Sequence, residues 1–274
     1  MYQNPVVQGY WGMIMEEDSY FEEEEFSPVK SILGLLTFST ILPIRVYTSI
    51  ECMTRMTWFW PFIHLFIGAL AAVCGYVALN FLHLNSFFTA VIVYAFLMII
   101  TGYNHLDGVM DMADGVMVHG DPERKIKVMK DSSVGAGGVA TLFLVASLTV
   151  AGIYNILDYN FILGIVICEM AAKTSLMTTA LLSVPLTSGI GSYFIFETTP
   201  SKYLLSTFLV AVIAFLLGDV VGVCGVIGAM FSGIIISLIA QRNFGVANGD
   251  VLGMSNEVGR LMALLFMASA LFFF

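Results

Sequence analysis

Long apolar stretches broken by short polar turns set the pattern of this chain. Between Arg55 and Asp107 there is no Asp, Glu, Lys or Arg. A membrane crossing needs about 20 predominantly apolar residues, so that interval has room for two. The first runs over residues 57–80 and opens on Trp58, Phe59 and Trp60, as an interfacial aromatic belt would. His83 and Asn85 mark a turn, and a second span follows over 86–101. Further spans are predicted at 134–155, 161–184, 204–218 and 220–240, with Asp219 separating the last two, and a final one ends at Phe274. Residues 31–45 are apolar but short, and Pro43 interrupts their end. That length suits a re-entrant or interfacial helix as well as a crossing. Residues 185–202, with two prolines and several glycines, read as a loop. The pattern therefore predicts an all-α, polytopic integral membrane helical bundle of about seven or eight spans.

Composition agrees with the pattern. Only 11% of the 274 residues are charged, against roughly 25% in a soluble domain, and 58% are hydrophobic. The net charge of -9 does not describe the membrane part, because seven of the twenty acids lie in residues 16–25. Residues 1–28 are expected to be a solvated acidic extension without fixed structure. They lack the basic start and apolar stretch of a signal peptide. Residues 29–274 form the membrane-embedded domain. The acidic balance offers nothing to nucleic acid, lipid is the implied surrounding, and a homo-oligomer is compatible with the sequence. Cys52, Cys74, Cys168 and Cys224 form no CxxC pair and read as small packing residues.

Basic residues orient the bundle. Arg124, Lys125, Lys127 and Lys130 follow the second span, which places that polar stretch in the cytoplasm. Four spans later the chain returns to the same side at a second polar junction, residues 241–256. Both junctions therefore share one face of the membrane. In the span between them, Glu169 and Lys173 stand at i,i+4, where they can pair.

The first junction carries the candidate chemistry. Asp107, Asp111 and Asp114 stand at i, i+4 and i+7 and share one helical face. Three anions so placed repel one another unless a cation intervenes. Magnesium, which takes hard oxygen ligands and holds substrate phosphates, is the natural candidate; a solvated acidic helix end is the plain alternative. Asp131 follows the basic run and can complete the metal shell or orient a nucleophile. Arg124 and Lys130 are candidates for phosphate, and all four basic residues also suit lipid headgroups. His105 can hydrogen-bond a carboxylate or act as a base. The glycine-rich residues 132–138 suit either close helix packing through Gly135 and Gly138 or an anion-binding helix start. They lack the Lys-Ser/Thr ending of a nucleotide-hydrolase phosphate loop. At the second junction Asp250 and Glu257 are candidate acids, and Asn248 and Asn256 are candidate substrate contacts or capping residues. Two acidic clusters and a basic stretch on one face point to metal-assisted chemistry at a phosphate. A cation-coupled transporter is the alternative class, but its acids belong near the midplane, away from a basic run.

The segments TGYNHLDGVMDMADGV, IKVMKDSSVGAGGV and NGDVLGMSNEVG, with FSTILPIRV near the start, resemble the signature segments of the cobalamin synthase family, the adenosylcobinamide-GDP ribazoletransferases. The likeness covers about residues 29–270. It implies a magnesium-dependent membrane enzyme of late vitamin B12 assembly, joining adenosylcobinamide-GDP to alpha-ribazole or its 5'-phosphate with release of GMP. By similarity Asp107, Asp111 and Asp114 match the family's aspartate motif, and Asp131 and Asp250 its later acids. One of these last two would accept the proton of the ribazole 5'-hydroxyl as it attacks. The sequence departs from the family where Tyr103 and Asn104 replace a usual glycine pair and where Asn248 replaces a threonine. The aspartate motif also resembles that of CDP-alcohol phosphotransferases, the runner-up enzyme class.

Overall fold

A computed structural model describes residues 25–131, 133–187 and 189–273. Most of the acidic extension, residues 1–24, lies outside the described residues, and with it the expectation that it lacks fixed structure. The described chain is helical, with a single isolated bridge, Pro185 to Ala247, in place of any sheet.

Each helix starts where the sequence supplies a signal for it. Helix α1, Pro28–Ser39, has Pro at its first position, where a missing N–H costs nothing. A short α2, Ile50–Thr54, is capped by the Ser49 hydroxyl accepting from Cys52 N. Helix α3, Trp60–Asn80, and α4, Ser86–Ile100, form the first hairpin, with Asn85 capping the second. The polar stretch then folds into α5, Leu106–Met117, and α6, Pro122–Met129, the latter capped by Asp121. Helices α7, Ala136–Asp158, and α8, Gly164–Leu182, cross next. The loop expected over 185–202 instead contains a helix, α9, Ile190–Glu197. Its glycines serve the entry: Gly189 has φ of 105°, a conformation costly for any other residue.

Residues 200–243 read as one helix, α10 (Pro200–Asn243), until Gly218 and Asp219, which leave helical geometry, Asp219 at φ 50°. A side chain on Gly222 would run into the Ala214 carbonyl, so the chain doubles back there. Both halves lie along α8. Tyr203 bonds Thr178 at 3.0 Å, Thr179 bonds the Gly233 carbonyl at 2.9 Å, and Gln241 bonds the Leu182 carbonyl at 2.7 Å. The turn at Gly218 packs instead on Phe161, beside the start of α8. The two halves are therefore antiparallel crossings, as the polar Asp219 between apolar runs predicts. Helix α11, Gly249–Ala270, is the last.

Among the described residues, five helices are long and apolar enough to cross a membrane, with α10 doubled and α4 a shorter apolar helix. Counted this way the described chain has seven crossings, and the twelve-residue α1 is too short to add another. Helix α8 is buried along nearly its whole length and forms the axis of the bundle. The outer surface is apolar, with Phe143, Leu148, Phe208 and Leu216 all exposed. Exposed apolar surface on this scale would be an aggregation liability in water and is a requirement in lipid. No disulfide joins any of the four cysteines.

Candidate active site

Helix α5 lies across the start of α11, so the two acidic junctions meet. The approach needs glycine: a Cβ on Gly108 would lie 2.7 Å from the Asp250 carbonyl oxygen. Around this contact Asp107, Asp111, Asp114 and Asp250 form one field of negative charge. Partial burial, and then repulsion from Asp250, Asp107 and Asp114, pushes the Asp111 carboxyl up to about 6. Asp250 is held by Asn248, whose side-chain amide donates to Oδ2 at 2.6 Å while its own oxygen caps α11 by accepting from Val251 N. Lys130 is close enough to act electrostatically on Asp250.

Asp114 has a further job. Its two oxygens accept the backbone N–H groups of Gly135, at 2.7 Å, and Gly138, at 2.8 Å. The glycine-rich start of α7 thus receives an anion, and the anion is a side chain of α5. A Cβ on either glycine would collide with that carboxylate, so close packing and anion binding are one feature here.

Asp131 stands apart from these acids. It is exposed on the turn after α6, and its Oδ1 accepts from Ser133 N at 2.9 Å. That bond and the Ser133 hydroxyl hold its carboxyl below the usual range, which makes it a weak proton acceptor. Arg124 is exposed on α6, while its neighbour Lys125 ties α6 to the end of α10 by bonding Asn243 at 2.6 Å.

The remaining expected contacts lie deeper. Asn256 and Glu257 are fully buried in α11, below the polar face, and bond each other at 3.0 Å. Glu257 pairs with Arg260, and Arg260 pairs in turn with Glu169, which also bonds His64 at 3.2 Å. The expected pairing of Glu169 with Lys173 is replaced by this network. A guanidinium fork satisfies two carboxylates at once, which a lysine of the same helix cannot match. Lys173 instead reaches His105 Nε2 at 2.8 Å and lies 4.6 Å over the Trp60 ring. Arg260 is a site residue that the sequence motifs do not single out. Its signal was a lone arginine in an apolar span, three residues after Glu257, where burial demands partners.

Beside the carboxylates opens a cavity of about 180 Å³. Asp107, Asp250, Asn104 and His105 line it together with Phe38, Trp60 and Phe194. Trp60 stacks on Phe194 at 4.4 Å, and Phe38 packs on Phe194 at 5.2 Å. The Trp60 indole N–H is satisfied by Ser39 at 2.8 Å, which fixes the ring.

Among the described residues, no three His, Cys, Asp or Glu side chains already converge as a metal cage. The donor set nevertheless fits magnesium, which is held through one or two carboxylates, waters and substrate phosphates rather than by an all-protein cage. Asp107 and Asp111 are the carboxylates best suited, since Asp114 is committed to the start of α7 and Asp250 to Asn248.

Comparison with known proteins identifies the family. The family model described as cobalamin-5-phosphate synthase matches residues 31–268. Curated proteins named adenosylcobinamide-GDP ribazoletransferase are similar along most of their length. That of Methanococcoides burtonii is 31% identical over 86% of this chain and 91% of its own. Those of Thermoplasma acidophilum and Thermococcus onnurineus are each 33% identical, over 88% and 86% of this chain and 94% and 97% of their own. No solved structure matches the chain. The two acidic junctions and the apolar spans that bring them together all fall within the matched residues, and the chain belongs to the cobalamin-5-phosphate synthase family.

Proposed function

We propose that this protein transfers the adenosylcobinamide phosphate group of adenosylcobinamide-GDP to alpha-ribazole or its 5'-phosphate, with release of GMP and formation of adenosylcobalamin or its 5'-phosphate. The observation that carries the reading is that Asp107 and Asp250 line one cavity, with Asp111 close enough to feel the charge of both.

The acceptor's 5'-phosphate is retained in the product, so the attacking group is another ribose hydroxyl. Its oxygen bonds to the cobinamide-side phosphorus as the bond from that phosphorus to the GMP oxygen breaks, and the electron pair leaves with GMP. Asp250, aimed by Asn248, takes the hydroxyl proton. Asp107 and Asp111 would hold magnesium, whose positive charge would offset that of the pyrophosphate and the departing GMP. Lys130 and Arg124 add positive charge on the same face. The basic α6 supports a cytoplasmic location for that face, in a cell membrane crossed many times.

The test is turnover. Purified protein in lipid, given adenosylcobinamide-GDP, alpha-ribazole and magnesium, is expected to yield GMP and a cobalamin in equal amounts. Folded protein that produces neither would overturn the assignment.

A further inference from the structure

We propose that Lys173 is a positioning residue that fixes His105 as a hydrogen-bond donor, and that His105 Nδ1–H donates to an oxygen of the substrate's pyrophosphate. This rests on the transferase reading and adds two residues to it.

Lys173 is fully buried in α8, and among the described residues no carboxylate is bonded to it. Its charge follows from its surroundings. Glu169, Glu257 and Arg260 together leave one negative charge over, and both acids act electrostatically on Lys173, so a cationic Lys173 makes the buried group neutral. The face of the Trp60 ring, 4.6 Å away, favours the same form.

Charge then dictates direction. An ammonium has hydrogens to give and no lone pair, so at 2.8 Å Lys173 donates and His105 Nε2 accepts. A proton on Nε2 would set two donors against each other. The imidazole therefore carries its proton on Nδ1. This argues against a base at His105, because its second nitrogen already holds a proton.

Position supplies the target. His105 is half-buried and lines the cavity with Asp107 and Asp250. Its Nδ1 has no hydrogen-bond partner among the described residues, so the N–H is left for an acceptor that arrives with the substrate. Beside Asp107 that acceptor is a pyrophosphate oxygen, where charge grows as the bond to GMP breaks, and a fixed N–H stabilises that charge. The proton stays on His105 throughout.

The first test is nitrogen NMR of full-length protein in lipid, carrying isotopically labelled histidine, with His105→Asn assigning the signal. The expected wild-type spectrum has a bare Nε2 and a protonated Nδ1, and Lys173→Met loses that single form. A proton on Nε2, or an unchanged spectrum in Lys173→Met, would overturn the proposal. The wild-type spectrum decides the first point even where Lys173→Met fails to fold.

Turnover supplies the second test. His105→Ala is expected to lower kcat by roughly 10² to 10³, with the KM for adenosylcobinamide-GDP changed less than about threefold. His105→Asn should recover about tenfold of that loss, since its amide N–H lies as many bonds from the backbone as Nδ1. Lys173→Met should lower kcat by about tenfold or more in the wild type and by less than about twofold beside His105→Asn, whose N–H needs no lysine to fix it. Equal losses in both backgrounds would make Lys173 merely structural and overturn its role. If the wild type does not turn over, the transferase reading fails, and inorganic pyrophosphate added with magnesium reads the donor directly. A shift of the Nδ1 proton signal supports the bond, and no shift overturns it.

Discussion

Gly138 donates its backbone N–H to the Asp114 carboxylate at 2.8 Å, so the third acid of the motif holds the start of the next crossing. The motif thus divides its labour: Asp107 lines the cavity, and Asp114 serves the fold. Gly138→Ala is expected to force this contact apart, since the added carbon would press on both Asp114 and the Met110 carbonyl. Overpacking of this kind costs about 1–3 kcal/mol, or a drop of several degrees in Tm. Thermal unfolding in detergent checks it; an unchanged Tm would remove the structural role.

Asp250→Asn keeps the shape of the side chain and removes the proton acceptor. A loss of about 10² to 10⁴ in kcat is expected, with acceptor binding retained. Asp131→Asn, on an exposed turn, should cost less than about tenfold. Reversal of that order in single-turnover assays would move the base to Asp131.

Asp111 gives a pH signature. Its carboxyl is pushed up to about 6 from 3.8, so the folded protein binds a proton that the unfolded chain has lost. In the absence of metal, stability is therefore expected to fall as pH rises from about 4 through about 6. Asp111→Asn should flatten that slope. Magnesium requires the ionised carboxylate, so its affinity should weaken as pH drops below about 6, with proton release on binding. Titrations in buffers of different ionisation enthalpy measure that proton. Equal slopes in the wild type and Asp111→Asn would refute the assignment.

The buried pairing of Arg260 with Glu169 and Glu257 makes a different prediction. Arg260→Leu leaves two carboxylates without a counter-charge and is expected to cost about 3–5 kcal/mol, enough to abolish expression of folded protein. Adding Glu169→Gln and Glu257→Gln should recover much of it. Normal folding of the single variant would show that the network is dispensable.

Much of the fold was readable from the sequence because lipid imposes one simple rule, and Asp219 and Asn85 punctuate the apolar runs where the structure turns. Helix α9 was not readable, since glycines and prolines that signal a loop can equally serve a short helix held by its neighbours. The acids were visible through their spacing, and the separate task of Asp114 was not, because its partners are backbone N–H groups of another helix. Asn256 and Glu257 illustrate the opposite error: a polar pair near a junction looks exposed until the helix is found to carry it inward. The aromatic wall left no signal at all, for Phe38, Trp60 and Phe194 come from three distant segments with no shared period.

The segments bearing that wall are pinned to the two polar junctions. Asn104 holds the Phe38 carbonyl at 2.8 Å, and just before α9 and α11 the Leu186 N–H donates to the Ala247 carbonyl while the Ala247 N–H donates to the Val184 carbonyl. Gly191 sits so closely on Gly249 that no side chain fits between them. The fold thereby acts as a ruler: the same few bonds fix the aromatic segments and the carboxylates relative to one another, so the spacing between them is measured out by the chain itself.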